Sequence, residues 1–429
     1  MSGVSPGWAA PSYDVLVIGA GLAGLSAAAR LAESGARVMV IAKGVSATHL
    51  APGTIDVLGY AGSERVERPG EALGSLDGAH PYARLGGADA VARAVAWFKR
   101  QFDGGPLGAY AYRGSLDENM LLPSTVGAAR PSAVVPETMA AGDLRDGVPM
   151  LVVGFHVLRD FHAAYLADNV SRAGPPARAV VLDRRLDGRP EANSLGLARA
   201  MDAADVRREI ADEVARGLDG EARVGFPAGL GAEDPHGVWS DLQQRLGRAV
   251  FEIPTLPPSV HGMRVFRTLR DRLRAGGGRI ILNSQAVGAE RAGDRVVSVR
   301  ATAAGREVTY RARWVVLATG GVASGGVELD SRWRARETAL GLPLHGVPAP
   351  EEERFGPDYF GEHPFARVGV AVDEGLRPVA GDGGARAVEN VLVAGATLAG
   401  AQPWKEKSGD GLSLASGHRA AELVLEEER

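Results

Sequence analysis

The sequence predicts an α/β protein built on a parallel sheet, with one domain split between the two ends of the chain and an α/β lobe inserted between its halves. Three observations predict it. Near the N-terminus the apolar run Val15-Leu16-Val17-Ile18 leads into Gly19-Ala20-Gly21-Leu22-Ala23-Gly24 and then a small-residue helix, Leu25 to Ser34. Late in the chain apolar strands return, Trp314 to Ala318 running into Thr319-Gly320-Gly321, and Asn390 to Gly395 ahead of the glycine-rich Gly400 to Gly411. Between these ends, strand–helix–strand order occurs twice.

Each part of the first unit has its own physical reason. Four consecutive apolar β-formers read as a strand buried on both faces, the pattern of a parallel sheet. The glycines then permit a tight turn, close approach of backbone to a pyrophosphate, and close helix–strand packing. Behind them, a helix N-terminus offers free N–H groups and a partial positive charge to phosphate. Ala27, Ala28 and Ala29 keep the helix thin against the sheet, and a second strand, Arg37 to Ile41, closes a βαβ unit. Strand, glycines, helix and second strand in register make this a nucleotide site. One residue departs from the usual pattern. Ala42 stands where such sites carry the Asp or Glu that bonds the ribose. Either another residue or the backbone holds the ribose, or the adenosine half is bound differently or is absent.

In the middle, Pro149 to Gly154 reads as a buried strand, Phe155 to Arg172 as a helix that carries His156 and His162, and Ala177 to Leu182 as a strand. Arg223 to Phe226, Val238 to Leu246 and Ala249 to Glu252 repeat that order. Further on, Arg279 to Leu282 and Val296 to Val299 read as strands joined by a turn at Gly293-Asp294, and Ser413 to Glu428 as the final helix. The fold class is therefore a split Rossmann-like FAD/NAD(P)-binding domain, residues 1–85 and 271–429, with an inserted α/β lobe over 86–270.

Composition removes several function classes. A net charge of −4 over 429 residues leaves no basic footprint for nucleic acid. No apolar run approaches the roughly 18 residues of a membrane span. Met1 to Ser12 lacks the basic start and apolar core of a signal peptide and reads as a loose leader, so a cytoplasmic chain is expected, at most peripheral on a membrane through a partner. The chain has no cysteine, which removes disulfides, thiolate catalysis, zinc–thiolate sites and Cys-ligated iron–sulfur clusters. No metal site is expected.

Further motifs narrow the class: Ser46-Ala47-Thr48-His49 with Gly53-Thr54-Ile55-Asp56, His80-Pro81-Tyr82, Pro254-Thr255-Leu256-Pro257-Pro258-Ser259-Val260 with Gly262 and Arg264, Ser324-Gly325-Gly326, and Asp373-Glu374 with Leu376-Arg377-Pro378. With these, nearly the whole chain resembles the flavoprotein family that includes fumarate reductase and L-aspartate oxidase, and within it the B-subunit family of anaerobic glycerol-3-phosphate dehydrogenases. The resemblance implies a flavin protein working beside a homologous-fold partner and an iron–sulfur, membrane-anchoring partner, the A and C subunits of such enzymes. An assembly of this kind oxidises sn-glycerol 3-phosphate to dihydroxyacetone phosphate and reduces a quinone. The resemblance also implies FMN, whereas the glycine turn favours the dinucleotide FAD. A flavin-binding relay subunit without substrate chemistry of its own, and a stand-alone fumarate-reductase-like enzyme, are the alternatives.

Gly19, Gly21 and Gly24 are expected to meet phosphate through backbone N–H groups. The resemblance places Lys43, Ser46, Thr48 and His49 along the cofactor, with Gly320 and Gly395 where the chain returns to it. Gly411, Leu412 and Ser413 open the last helix, whose dipole would stabilise negative charge on a reduced flavin ring; a helix start capped by Asp410 accounts for the same residues. His261, Arg264 and Arg377 are the catalytic candidates, for binding an anionic substrate, with His261 the one that could remove a proton from it. Lys405 and Lys407, beside the glycine-rich segment, read as solvated.

Overall fold

The computed structural model describes residues 12–186, 188, 190–358, 361–380 and 384–429. The expected leader lies outside the described residues except for Ser12, where the first strand begins.

In chain order, β1 (Ser12–Ile18), α1 (Leu22–Glu33) and β2 (Val38–Ala42) form the first unit. A helix α2 (Gly87–Gln101) and a hairpin, β3 (Met120–Pro123) with β4 (Ala129–Ser132), lead into the lobe. The lobe comprises β5 (Met150–Phe155), α3 (Ala163–Ala173), β6 (Ala177–Leu182), α4 (Ala204–Gly217), β7 (Arg223–Pro227), α5 (Pro235–Leu246) and β8 (Ala249–Ile253). The chain returns through α6 (Val260–Ala275), β9 (Arg279–Leu282), β10 (Ser284–Ala292), β11 (Arg295–Ala303), β12 (Arg306–Leu317), β13 (Val391–Val393) and α7 (Gly409–Glu427).

The main sheet runs β9-β2-β1-β12-β11-β10, with β13 also paired to β12. Its parallel part, β9, β2, β1, β12 and β13, is in register across Ile18↔Ile41, Ile18↔Leu317 and Leu317↔Val393. All these strands end on one edge, so the turns after β1, β2, β12 and β13 meet there. This is where open parallel sheets bind ligands. Val15, Leu16 and Val17 are fully buried, and each contributes about 1.5–3 kcal/mol of apolar burial.

The antiparallel extension differs from the sequence reading. β9 joins the parallel sheet beside β2, and the turn at Gly293 links β10 to β11 instead. Sequence pattern does not mark β10, because most of its residues are half-buried or exposed and carry no apolar alternation. The helix expected from Phe155 starts at Ala163, since Phe155 completes β5 and His156 lies in the exposed turn that follows. The final helix begins four residues earlier than Ser413, with Ser408 rather than Asp410 at its N-cap.

The lobe sheet is parallel throughout, in the order β6-β5-β7-β8, with its own core from Leu144 to Ile253. Two helices within the 86–270 span pack with the main core instead. α2 contributes Val91, Ala94, Trp97 and Phe98 against α7, and α6 contributes Val265, Leu269 and Leu273 against α1. Their apolar faces leave them no reason to stay with the lobe.

Candidate functional site

The turn after β1 is built for close approach. Gly19 has φ +118°, and a Cβ there would overlap the Ala318 carbonyl; a Cβ on Gly24 would overlap the Gly19 carbonyl. Helix α1 starts at N-cap Gly21 with no capping side chain, so its first-turn N–H groups point outward unclaimed by side chains. Around this turn the structure gathers the other expected residues. Gly320 and Thr319 follow β12, and Gly395 follows β13 against Ala23. Ser413 sits beside Gly395, and Gly417 of α7 packs on the Ala23 backbone. Leu412 is buried below.

The loop after β2 completes the cradle. Lys43 is exposed, Thr48 is buried, and the Ser46 side chain lies 4.0 Å from where a Cβ on Gly21 would stand. Ser46 Oγ, His49 Nδ1 and Thr319 Oγ1 are buried with no hydrogen-bond partner. Unmet buried groups of this kind cost about 1–3 kcal/mol each, and a phosphate-bearing heterocycle with many acceptors would meet them. The His49 ring rests 4.7 Å from Phe266, and burial holds its imidazole below the ordinary value. A flavin therefore fits the residues present: glycine turn, uncapped helix and orphaned polar atoms.

His261 and Arg264 are brought together, but beneath this site and facing away from solvent. Both are buried around the Glu252 carboxylate of β8. His261 Nε2 lies 2.7 Å from Glu252 Oε2, and Arg264 Nη1 donates to the same oxygen at 2.8 Å. Thr138 Oγ1 donates at 2.6 Å, and the Gly229 and Leu230 N–H groups donate to Oε1 at 2.9 and 2.8 Å. Arg264 Nη2 reaches the Leu230 and Gly231 carbonyls, just past β7. Burial alone would raise the Glu252 carboxyl; Arg264 and His261 outweigh it and hold it well below the carboxylate range. Strand order in the lobe reverses between β5 and β7, the usual ligand crevice of such a sheet. Here the neighbouring C-terminal ends of β7 and β8 are occupied by Arg264 of α6. The first turn of α6 also supports the cofactor loop: a Cβ on Gly262 would overlap the Thr48 carbonyl, one on Gly53 would overlap His261, and the Ser259 N–H donates to the His49 carbonyl at 2.8 Å.

Arg377 is not brought to the site. It stacks on Trp314, bonds the Glu389 carbonyl, and pairs with Glu427 in the last turn of α7, at the end of the sheet remote from Gly19. Lys405 pairs with Glu362.

A charged cluster that sequence reasoning missed lies where the 53–59 segment, β4 and the first turn of α7 meet. Asp56 is buried; it accepts from Thr54 Oγ1 at 2.8 Å and pairs with Arg130 of β4. The Gly411 N–H donates to the Asp56 carbonyl at 2.9 Å, tying α7 to this segment. Asp410 is partly buried next to it. Desolvation, then the Asp56 charge, push its carboxyl up to about 7 against the opposing pull of Arg130 and Lys407. Lys407 is held at φ 52° with its Cβ and Cγ against Gly59. The nearest sequence signal is Asp56 in the Gly53-to-Asp56 motif; nothing local marks Arg130. Among the described residues, no group of three or more His, Asp or Glu could hold a metal ion.

A glycine turn at the edge of a parallel sheet, ringed by orphaned donors and a helix N-terminus, defines a flavoprotein of the FAD-binding kind. The FAD binding domain family matches residues 14–412. The chain is 37% identical to the B subunit of a probable anaerobic glycerol-3-phosphate dehydrogenase from Halobacterium salinarum, over 96% of this chain and 98% of the relative. It is 31% identical to the B subunit of anaerobic glycerol-3-phosphate dehydrogenase from Pectobacterium carotovorum, over 97% and 99%. Among solved structures it is similar to the 3-ketosteroid-Δ4-(5α)-dehydrogenase of Rhodococcus jostii (13% identity, TM-score 0.45, 98% of both chains). A flavocytochrome c3 fumarate reductase is a further one (11%, TM-score 0.43, 96% of this chain and 79% of that one). The chain belongs to the FAD binding domain family and, within it, to the B-subunit family of anaerobic glycerol-3-phosphate dehydrogenases: a flavin-dependent oxidoreductase.

Proposed function

We propose that this chain is the flavin-carrying member of an assembly that oxidises sn-glycerol 3-phosphate to dihydroxyacetone phosphate and passes the electrons through partner proteins to a quinone. The observation that carries the reading is kinship at 37% identity across nearly the full length with a relative bearing that name. The cofactor proposed is FAD. The glycine turn suits a pyrophosphate and the matching family is an FAD one; FMN, which Ala42 kept open, has no support from that match. A bound flavin supplies the two-electron acceptor. The chain's own part is to hold it: Gly19, Gly21 and Gly24 at the phosphates, Ser46, Thr48 and His49 along its edge, and the N-terminus of α7 at the ring. His261 and Arg264 are positioning residues, acting through Glu252 and the 48–53 loop, and Arg377 is structural. A homologous-fold partner and an iron–sulfur partner complete the assembly in this reading, because a chain without cysteine cannot ligate a cluster through thiolates. No helix among the described residues is long and apolar enough to cross a membrane, so contact with a membrane would come through a partner.

A second reading, a relay protein whose chemistry is done by the homologous-fold partner, draws support from His261 and Arg264 both being committed to Glu252. Two measurements test these readings. The purified chain is expected to be yellow and to release FAD on acid treatment, identified by mass; a colourless protein that neither flavin reconstitutes refutes the cofactor assignment. Glycerol 3-phosphate is expected to bleach the flavin of the isolated chain. Bleaching only when the homologous-fold partner is present supports the relay, and no bleaching in the full assembly refutes the substrate.

A further inference from the structure

Trp333, Phe355 and Trp404 stand in a row at the surface, 46%, 48% and 39% exposed. Ring centroids lie 5.9 Å apart between Trp333 and Phe355, 6.2 Å between Phe355 and His363, and 5.6 Å between His363 and Trp404. Three separate stretches of chain supply the row. Beneath it Phe365 lies 5.7 Å from Phe355 and packs with Val327 and Val368 in a small core of its own. Trp333 holds φ 62°, a left-handed conformation in which a bulky residue is strained. Contiguous exposed apolar surface marks a binding face, and Trp and Phe are enriched at the centres of interfaces.

This face is built onto the cofactor cradle. Gly19 abuts the Ala318 carbonyl and the Thr319 nitrogen, one residue before Gly320, and a Cβ on Gly326 would overlap the Gly320 carbonyl. From Gly326 the chain enters a hairpin, Val327–Leu329 against Ala335–Glu337. Trp333 sits in its tip, where its N–H donates to the Asp330 carbonyl at 3.0 Å, and the Thr338 N–H closes the base on the Gly326 carbonyl at 3.0 Å. At the other end of the row, Trp404 lies in a short helix, Pro403–Glu406, just before Ser408, the N-cap of α7. The rim sets the charge of what binds. Arg334, Arg336 and Lys405 are already paired with Asp330, Glu328 and Glu362. Glu351 and Glu353, beside Phe355, are exposed and have no ion pair among the described residues. That edge repels an anionic lipid surface, and a second copy would bring it mostly cations that are already matched. A protein with an apolar centre and a cationic rim fits.

We infer that this aromatic face docks the electron-accepting iron–sulfur protein. The inference rests on the reading above, in which a chain without cysteine hands its electrons to a cluster on another protein. It adds where that protein sits: on the hairpin that springs from the Gly320 turn.

The experiment measures binding of the flavin-loaded chain to the detergent-solubilised iron–sulfur protein of the same assembly, by biolayer interferometry at several salt concentrations. Trp333→Ser and Phe355→Ser are each expected to weaken binding by roughly 30-fold, mostly through faster dissociation. Tyr165→Ser, at an exposed aromatic of the lobe, binds as the native chain does. Glu351→Lys combined with Glu353→Lys slows association and flattens its salt dependence. Flavin content and melting temperature stay native in all of them. Native affinity in both aromatic variants overturns the inference while the proposed assembly stands. So does a result in which the variants keep the iron–sulfur protein but lose self-association in sedimentation, or lose binding to phosphatidylglycerol vesicles, since the face then serves a second copy or a membrane. If the native chain does not bind the iron–sulfur protein even in the full assembly, the proposed assembly fails and takes the inference with it.

Discussion

Replacing Glu252 with glutamine is expected to destabilise the protein by about 3–5 kcal/mol, the cost of removing one partner from a buried ion pair. The structure accounts for the size. Every neighbour of this carboxylate acts as a donor: two backbone N–H groups at one oxygen, and Thr138, His261 and Arg264 at the other. Glutamine brings an NH2 that must face either the two backbone N–H groups or the Arg264 guanidinium, at about 1–3 kcal/mol for each donor left unmet. Arg264 meanwhile stays buried with its charge uncompensated. Unfolding entropy of about 2.1 cal/mol/K per residue over 429 residues makes this a fall of roughly 3–6 °C in Tm if the chain melts as one unit. Urea unfolding followed by circular dichroism measures it directly. The deficit also has a pH signature. Glu252 titrates below its unfolded value, so its contribution is present above the unfolded pKa and is lost as pH falls through the folded one; the variant's deficit is widest near neutrality and narrows in acid. A loss under about 1 kcal/mol at neutral pH would refute the view of Glu252 as the clasp between α6 and the lobe.

Three further outcomes are expected. Gly262→Ala, whose Cβ would collide with the Thr48 carbonyl, should displace the 46–51 loop and lower flavin content, measured as the ratio of visible to protein absorbance. Arg377→Ala should cost about 1–3 kcal/mol in urea unfolding through the loss of its Glu427 and Glu389 contacts, while bleaching by glycerol 3-phosphate continues at the native rate. Asp410→Asn should stabilise the protein at pH 8 and leave it unchanged at pH 4, because a carboxyl raised to about 7 weakens the fold as pH climbs from its unfolded value through the folded one. The gain, read by thermal melts, is on the order of 2–4 kcal/mol.

What can be read in advance is what neighbours in sequence determine. Gly19 to Gly24 needs only its own strand and helix to declare itself, and the apolar strands ending at Leu317 and Val393 carry their burial in their composition. The proline block points to His261 and Arg264, yet what they touch is Glu252, which lies on a separate strand and looks like any strand-end acid. Arg130 leaves no local trace at all, because its partner Asp56 is 74 residues away. Asp410 sits in a context where an N-cap explains an aspartate equally well, and only the approach of Asp56 and Arg130 separates the two. Chain position assigns α2 and α6 to the lobe, whereas their apolar faces match the main core.

The Glu252 clasp has a consequence for motion. The Glu252 carboxylate at the end of β8 holds both His261 and Arg264 of α6, so the lobe cannot swing from the main sheet without breaking the two contacts together. Rigid-body hinging of the lobe therefore strands a buried carboxylate and a buried guanidinium at the same moment.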